Sequence, residues 1–162
     1  MNLSEKTVTF LATGGYAGLI PVAPGTFGSA VGLLVAWALS PLGLIASLPV
    51  VACLILCSIW IAGRAEKIMG KKDPGCIVID EIAGIAVTFA GLPFTWMSGV
   101  AGFLIFRCLD IAKPFPIRYV EKKLSGGSGV VMDDVVAGLM SNFILRVVLW
   151  VLIRTGKGES LF

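Results

Sequence analysis

The sequence predicts an all-α, polytopic membrane protein with about four or five membrane helices and short interfacial helices. Of its 162 residues, 57% are hydrophobic and 14% are charged, whereas about a quarter of the residues in a soluble domain are charged. Uncharged runs cover residues 28–63 and 82–106. A membrane helix needs about 20 apolar residues, so the chain has room for several spans and short loops. We therefore expect one integral-membrane domain over residues 1–162.

Residues 28–63 are expected to form a helical hairpin. As one straight helix this run would be about 54 Å long, whereas the hydrocarbon core is about 30 Å thick. The segment "SPLG" at 40–43 and Pro49 interrupt the run, and proline and glycine are the strongest helix breakers. The expected helices cover residues 29–39 and 49–63.

A second hairpin is expected over residues 82–106, because "GLPF" at 91–94 divides that run into two short helices. A last span is expected over residues 135–153, and it carries Arg146. The glycine-rich stretch 8–20 is left unassigned, and a short helix at the membrane interface is one interpretation of it.

The two hairpins have a topological consequence. They bring the segments 21–29, 64–81 and 107–134 to one side of the membrane, where their side chains can meet. The second and third segments carry most of the 13 Lys and Arg residues. The positive-inside rule then places this side in the cytoplasm.

Five carboxylates lie at predicted junctions between a loop and a span. Ionisable groups at such depth are costly and usually functional. A structural interpretation also exists, since "IDE" can begin a helix at its positive dipole end, and "MDDVVAG" resembles a helix N-cap and first turn. Capping and metal binding can coexist. The five are Asp80, Glu81, Asp110, Asp133 and Asp134.

The segment "FRCLDIAKPFPIR" carries a candidate phosphate site. Arg107, Asp110 and Lys113 recur every third residue, so on a helix they form one polar stripe. Pro114 and Pro116 are expected to end that helix. Cations beside an aspartate suit a phosphate held next to a metal ion.

Two glycine-rich segments suit the same chemistry. "PVAPGTFGS" precedes an apolar helix, so its backbone N–H groups and the Thr26 and Ser29 hydroxyls are candidates for binding an anion at a helix start. "SGGSG" at 125–129 is a candidate second anion nest.

Missing residue types narrow the mechanism. The chain has no histidine, which excludes a phosphohistidine intermediate and a histidine base. Its four cysteines form no CxxC pair and none has an arginine six residues later, which argues against a zinc site and a cysteine phosphatase. Oxygen ligands remain, and several carboxylates would hold Mg²⁺, which polarises a phosphoryl group.

Four motifs together resemble the bacterial phosphatidylglycerophosphatase A family: "PVAPGTFGS", "DPGCIVIDEIAG", "FRCLDIAKPFPIRYVE" and "GGSGVVMDDVVAGL". Their order and spacing are similar over nearly the whole chain. The resemblance implies a multi-pass enzyme of the bacterial inner membrane, with its active-site loops facing the cytoplasm. Its expected reaction is Mg²⁺-dependent removal of the terminal phosphate from phosphatidylglycerophosphate to give phosphatidylglycerol. No nucleic-acid partner is expected, and the oligomeric state is left open.

The resemblance also implies roles for individual residues. Asp80, Glu81, Asp110, Asp133 and Asp134 correspond to the metal-binding and water-activating set. Neither the resemblance nor the spacing distinguishes the ligands from the base; Asp80, Glu81, Asp110 and Asp134 are the expected metal ligands, with Asp80 and Asp134 as first choices, and Glu81 is also the candidate base. The phosphate contacts are expected from Arg107, Lys113 and Arg118, with Thr26 and Ser29.

Two other classes of function stay open. One is a small ion-coupled transporter that uses Asp80 and Glu81 as an intramembrane ion site. Against it, the carboxylates cluster at span ends and no inverted repeat is evident. The other is a non-catalytic lipid-binding or scaffold protein, and the intact acidic set weighs against that.

Overall fold

The computed structural model describes residues 2–155, and all regular secondary structure within that range is helical. This confirms the predicted all-α class. Short 3₁₀ turns at Ala17–Leu19 and Ser40–Leu42 join some of the helices. The α-helices in chain order are α1 Leu3–Ala12, α2 Pro24–Leu39, α3 Gly43–Met69, α4 Ile79–Phe89, α5 Trp96–Ala112, α6 Ile117–Lys123 and α7 Gly127–Arg154.

The first hairpin forms from α2 and α3. The chain reverses at the turn Ser40–Leu42, after which Gly43 adopts a φ of 65°, a conformation that glycine takes readily. The prediction that the second helix begins near Pro49 is wrong, because Pro49 lies inside α3. Proline removes one N–H and crowds the carbonyl four residues earlier. Here that carbonyl belongs to the first turn of α3, so only the helix start is affected.

Helix α4 is the central element of the fold. Residues 82–89 are all buried, and α4 packs most extensively against α7 and α2. A Cβ added to Gly84 would lie 2.6 Å from the Phe106 ring of α5 and 2.9 Å from the Asp134 carbonyl of α7, and a Cβ at Gly138 would collide with the Gly84 carbonyl. Small residues therefore let α5 and α7 approach α4 closely, as in other membrane helix contacts.

The C-terminal end of α4 lies inside the protein and is capped by side chains of α7. Asn142 Nδ2 donates to the carbonyls of Val87, Thr88 and Ala90, at 3.3, 2.9 and 3.1 Å. Arg146 Nη2 donates to Ala90 O at 2.9 Å, and its charge lies beside the negative end of the α4 dipole. Carbonyls at a helix end need such partners where water is absent. This explains the charged residue in the last predicted span.

Two segments are long and apolar enough to cross a membrane by length and composition: Pro24–Met69, which is α2 with α3, and Gly127–Arg154, which is α7. They coincide with the first predicted hairpin and the last predicted span. The total of four or five spans stays a prediction. The expected start of the last span at residue 135 lies inside α7 rather than at its beginning, because "GSGVVMDD" at 127–134 already belongs to this helix.

The three segments expected on one side do meet at one end of the bundle. Gly25 of α2 lies against Glu81 and Arg107, and Lys113 bonds to Asp133. This end carries the candidate site.

Candidate active site

An acidic triad of Asp80, Glu81 and Asp134 lies where α4 and α7 cross. One carboxylate oxygen from each residue lies within 4.8 Å of the others. Asp80 and Glu81 occupy the first turn of α4, as predicted, and Asp134 lies about two turns into α7, which begins at Gly127. The interpretation of "MDDVVAG" as an N-cap and first turn is wrong, because α7 begins at Gly127. Helix capping therefore does not account for Asp134.

The residues of the triad fit a divalent cation. Asp80 Oδ1 and Glu81 Oε2 are buried and have no hydrogen-bond partner among the described residues, and Asp133 Oδ1 beside them is in the same state. A buried carboxylate oxygen without a partner is costly. Carboxylate oxygens are the protein ligands that Mg²⁺ prefers. The site is thus built from the donor type that the sequence predicts.

The balance of charges around the triad also favours a bound cation. Two cations, Arg107 and Lys113, face the five predicted carboxylates, so negative charge is in excess around the triad. Asp110 interacts electrostatically with both Glu81 and Asp134, so it belongs to the same cluster. A bound cation would reduce this mutual repulsion.

Arg107 forms one side of the site. Its Nη1 donates to Asp110 Oδ2 at 2.6 Å and to Ser29 Oγ at 3.5 Å, and it lies 3.7 Å from Glu81 Oε1. Its Nε is buried without a partner in the described part of the chain. The guanidinium is therefore held beside the triad, and one of its N–H donors has no acceptor. A free donor of this kind suits the guanidinium to bind a phosphate.

Lys113 is the second cation of the site, but not as predicted. Helix α5 ends at Ala112, and Lys113 adopts a left-handed conformation with a φ of 43°. The expected stripe of three residues on one helix is therefore wrong at Lys113. The physical reason is Pro114, which disfavours the α-region for the residue before it. The polar stripe of Arg107 and Asp110 does form on α5.

The turn directs Lys113 toward two carboxylates. Its Nζ donates to Asp133 Oδ2 at 2.7 Å and to Glu121 Oε1 at 2.6 Å. Burial alone would lower the pKa of Lys113, but these hydrogen bonds outweigh it and raise the pKa above the ordinary 10.5. The ammonium thus stays charged. Glu121 was not predicted, because only the turn between α5 and α6 brings it to Lys113.

The start of α2 supports Arg107. Ser29 is buried, and its hydroxyl donates to the Gly25 carbonyl at 2.8 Å while it accepts from Arg107. A Cβ at Gly25 would collide with the Glu81 carboxylate and would lie 3.1 Å from Arg107 Nη1. Gly25, the first glycine of "PVAPGTFGS", is therefore required by the close approach of α2 to the site. Thr26 is half-buried on the same turn.

Two predicted elements lie elsewhere. "SGGSG" spans the start of α7, and a Cβ at Gly127 would collide with the Ile59 carbonyl of α3, so helix packing accounts for Gly127. Arg118 is exposed on α6, and within residues 2–155 it makes neither an ion pair nor a hydrogen bond. In the described part of the chain Arg118 forms no ion pair with the triad, and its predicted phosphate contact stays a prediction.

Comparisons with known proteins agree with the resemblance. A family model described as "PgpA: Phosphatidylglycerophosphatase A" matches residues 10–149. A Haemophilus influenzae protein named "Phosphatidylglycerophosphatase A" is 40% identical over 134 residues, which cover 82% of each chain. An Escherichia coli protein of the same name is 39% identical over 143 residues, covering 83% of this chain and 79% of the relative.

A Bacteroides thetaiotaomicron protein named "Putative phosphatidylinositol-3-phosphatase" is 35% identical over 151 residues, covering 88% of this chain and 93% of the relative. No solved structure matches the chain. The family model and the first two relatives each cover most of the sequence, including every residue of the acidic cluster in the case of the model. The chain belongs to the phosphatidylglycerophosphatase A family, which is a family of phosphatases.

Proposed function

We propose that this chain is a Mg²⁺-dependent lipid phosphatase that hydrolyses the terminal phosphate of phosphatidylglycerophosphate to give phosphatidylglycerol. One observation carries the proposal: in a chain of this family, a triad with two unpaired, buried carboxylate oxygens lies beside Arg107 and next in the chain to Asp133, the ion-pair partner of Lys113. The triad supplies ligands for a cation, and the two basic residues supply contacts for a phosphate.

Each side chain has a proposed role. Asp80, Glu81 and Asp134 hold the ion, with Asp110 completing the acidic set. Bound Mg²⁺ supplies Lewis-acid polarisation of the phosphoryl group. Arg107 donates hydrogen bonds to the phosphoryl oxygens, and its position is fixed by Asp110 and Ser29.

Lys113 carries the second positive charge to the phosphoryl group, with Asp133 and Glu121 orienting it. Water attacks phosphorus while the bond from phosphorus to the glycerol oxygen breaks, so one proton leaves the water and one joins the leaving oxygen. Glu81 is the proposed base for the first proton, because one of its oxygens has no partner and general bases act within hydrogen-bond reach. The products are phosphatidylglycerol and inorganic phosphate.

The proposed setting is the bacterial inner membrane. We propose that residues 1–162 form one integral-membrane domain of four or five spans, with the triad at the cytoplasmic interface. The triad lies at the end of the bundle where the basic loop segments meet, which supports this orientation by the positive-inside rule. A lipid head-group reaches the site from the interface while its acyl chains stay in the bilayer.

A second head-group follows from one relative. The name of the Bacteroides protein specifies a phosphatidylinositol 3-phosphate substrate, and this lipid also ends in a phosphomonoester. The acidic triad and its two cations recognise a phosphomonoester in either lipid. The test therefore includes both lipids, and preferential hydrolysis of the inositol lipid would replace the proposed substrate.

The proposed function is tested by phosphate release from purified protein in detergent, with Mg²⁺ or with a chelator. Wild type should release phosphate from phosphatidylglycerophosphate only with Mg²⁺, and Asp80→Asn should lower kcat by about 100-fold or more, since one metal ligand is lost. Asp73→Asn is the matched control, because Asp73 is exposed in the loop before α4. It should keep wild-type activity.

Each alternative class of function gives a different result. No release by wild type would contradict the phosphatase and leave the transporter or the scaffold. Release in chelator that survives Asp80→Asn would leave an enzyme but refute the metal site.

A further inference from the structure

An open cleft of about 440 Å³ lies between the end of α5 and α6, and Lys113, which pairs with Asp133 of the acidic site, is one of its lining residues. We name it the basic cleft, and its charged and aromatic lining residues are Lys113, Phe115, Arg118, Tyr119 and Lys122. No acidic residue lines it. The cleft therefore presents positive charge next to a site that carries excess negative charge.

The charges of the cleft are available to a ligand. In the described part of the chain, neither Arg118 nor Lys122 forms an ion pair, and Arg118 is exposed. Their neighbour Lys123 differs, because its Nζ contacts the Tyr119 hydroxyl at 3.2 Å and lies 5.4 Å from the centre of the Tyr119 ring. Two unpaired cations on one face of a short helix suit an anion of delocalised charge such as a phosphate.

Lys113 links the basic cleft to the triad. It lines the cleft, and its Nζ bonds to Asp133, the neighbour of the triad residue Asp134. A ligand that reaches the triad past Lys113 therefore has its remaining part in or near the basic cleft.

Aromatic side chains indicate how deep in the membrane the cleft lies. Phe115 is 82% exposed and Tyr119 is 55% exposed, and their ring centres are 6.5 Å apart. Exposed aromatic residues beside Lys and Arg are typical of the membrane–water interface. At that depth lie the phosphodiester groups of phospholipids.

We propose that the basic cleft binds the internal phosphodiester of the same lipid whose terminal phosphate lies at the acidic triad. The proposal rests on the proposed function and refines it. Phosphatidylglycerophosphate has two phosphates, joined by glycerol: a terminal monoester at Arg107 and Lys113, and a diester at Arg118 and Lys122. The cleft then selects lipids in which a phosphodiester precedes the phosphomonoester, and it disfavours phosphatidate, which lacks the diester.

The first test compares two short-chain substrates with the same acyl groups, phosphatidylglycerophosphate and phosphatidate. The variant is Arg118→Gln with Lys122→Gln. The control is Lys67→Gln with Lys71→Gln, which removes the same charge from the last turn of α3 and the loop after it. Near an anionic surface each cation is worth about 1 kcal/mol, so removing two should raise KM for phosphatidylglycerophosphate by about tenfold or more.

The expected result is a fall in kcat/KM at least fivefold larger for phosphatidylglycerophosphate than for phosphatidate, carried by KM. The control variant should show no such difference between the substrates. An equal fall for both substrates, or the same fall in the control, would overturn the proposal and indicate general attraction of anionic lipids. A change in kcat alone would also contradict it.

A binding measurement separates failure of this inference from failure of the proposed function. Short-chain phosphatidylglycerol has the diester and no terminal phosphate, so calorimetric titration of the full chain with it needs no catalysis. Binding about tenfold weaker in the cleft variant than in the control supports the cleft, even if wild type releases no phosphate. Equal binding by the two variants overturns it, even if the protein is an active phosphatase.

Discussion

The substitution Gly25→Ala tests the geometry of the site without changing its charge. Gly25 lies in the first turn of α2. Alanine stabilises a helix by about 1 kcal/mol relative to glycine. The added Cβ would collide with the Glu81 carboxylate and would lie 3.1 and 3.2 Å from the two Arg107 terminal nitrogens. The helix should therefore form, while the Glu81 and Arg107 side chains are displaced.

The magnitude follows from what must move. Glu81 and Arg107 are mostly buried, with side chains 14% and 15% exposed, so neither side chain can swing freely into water. Overpacking of this kind costs about 1–3 kcal/mol. If that cost falls on the productive arrangement of Glu81 and Arg107, kcat should fall by about 5- to 150-fold, since 1.36 kcal/mol corresponds to tenfold in rate.

The assay is Mg²⁺-dependent phosphate release at saturating phosphatidylglycerophosphate, together with Tm. Gly75→Ala is the matched control, because a Cβ there meets no atom within 4 Å and its φ is not positive. We expect Gly75→Ala to keep wild-type kcat and Gly25→Ala to lose activity, with a fall in Tm of at most roughly 2–10 °C. Wild-type kcat in Gly25→Ala would refute the placement of α2 against the catalytic residues.

Three further predictions concern charge, stability and topology. Lys113→Met should lower Tm by the same amount at about pH 6 and about pH 9. Because the pKa of Lys113 is raised by folding, its contribution to stability is fully present below pH 10.5 and is lost only above it. A fall in Tm that is smaller at about pH 9 than at about pH 6 would contradict this. Arg146→Met removes one of two side-chain donors from Ala90 O and the Arg146 donor from Gly91 O, which costs about 1–3 kcal/mol and should lower Tm by roughly 2–10 °C, whereas Arg154→Met at the end of α7 should change Tm little. In a background without the native cysteines, Ser128→Cys should resist a membrane-impermeant thiol reagent in intact cells and react after permeabilisation, and labelling in intact cells would reverse the proposed orientation.

The hairpins were predictable because the breakers lie in otherwise uncharged runs. "SPLG" and "GLPF" correspond to the turns after α2 and α4, and the meeting of three segments at one end follows from two hairpins alone. The central place of α4 was not predictable, because α4 and α5 are similarly apolar in sequence. Small residues at the crossings, such as Gly84 and Gly138, decide which helix is enclosed, and their partners are distant in the chain.

The candidate site, like the fold, was predictable only in part. Asp80, Glu81 and Asp134 were identified because carboxylates at the ends of apolar runs need a reason, and the structure brings them together. The position of Lys113 was predicted wrongly. The periodicity of the sequence extends the helix through Lys113, but the proline that follows ends the helix before this residue. The ion pair between Lys113 and Glu121 depends on the turn between α5 and α6, so no local pattern could indicate it.

The central claim is that Asp80, Glu81 and Asp134 hold a divalent cation, and the most direct measurement is Tm with Mg²⁺ and with a chelator. At 100 times Kd a bound ion stabilises the folded state by about 2.7 kcal/mol, which corresponds to roughly 5–10 °C for a chain of this size. Wild type should show this rise, whereas Asp80→Asn should not. In chelator, Asp80→Asn should be at least as stable as wild type, because the substitution removes one of several mutually repelling carboxylates. A wild-type Tm that does not respond to Mg²⁺, or an equal rise in Asp80→Asn, would contradict the metal site.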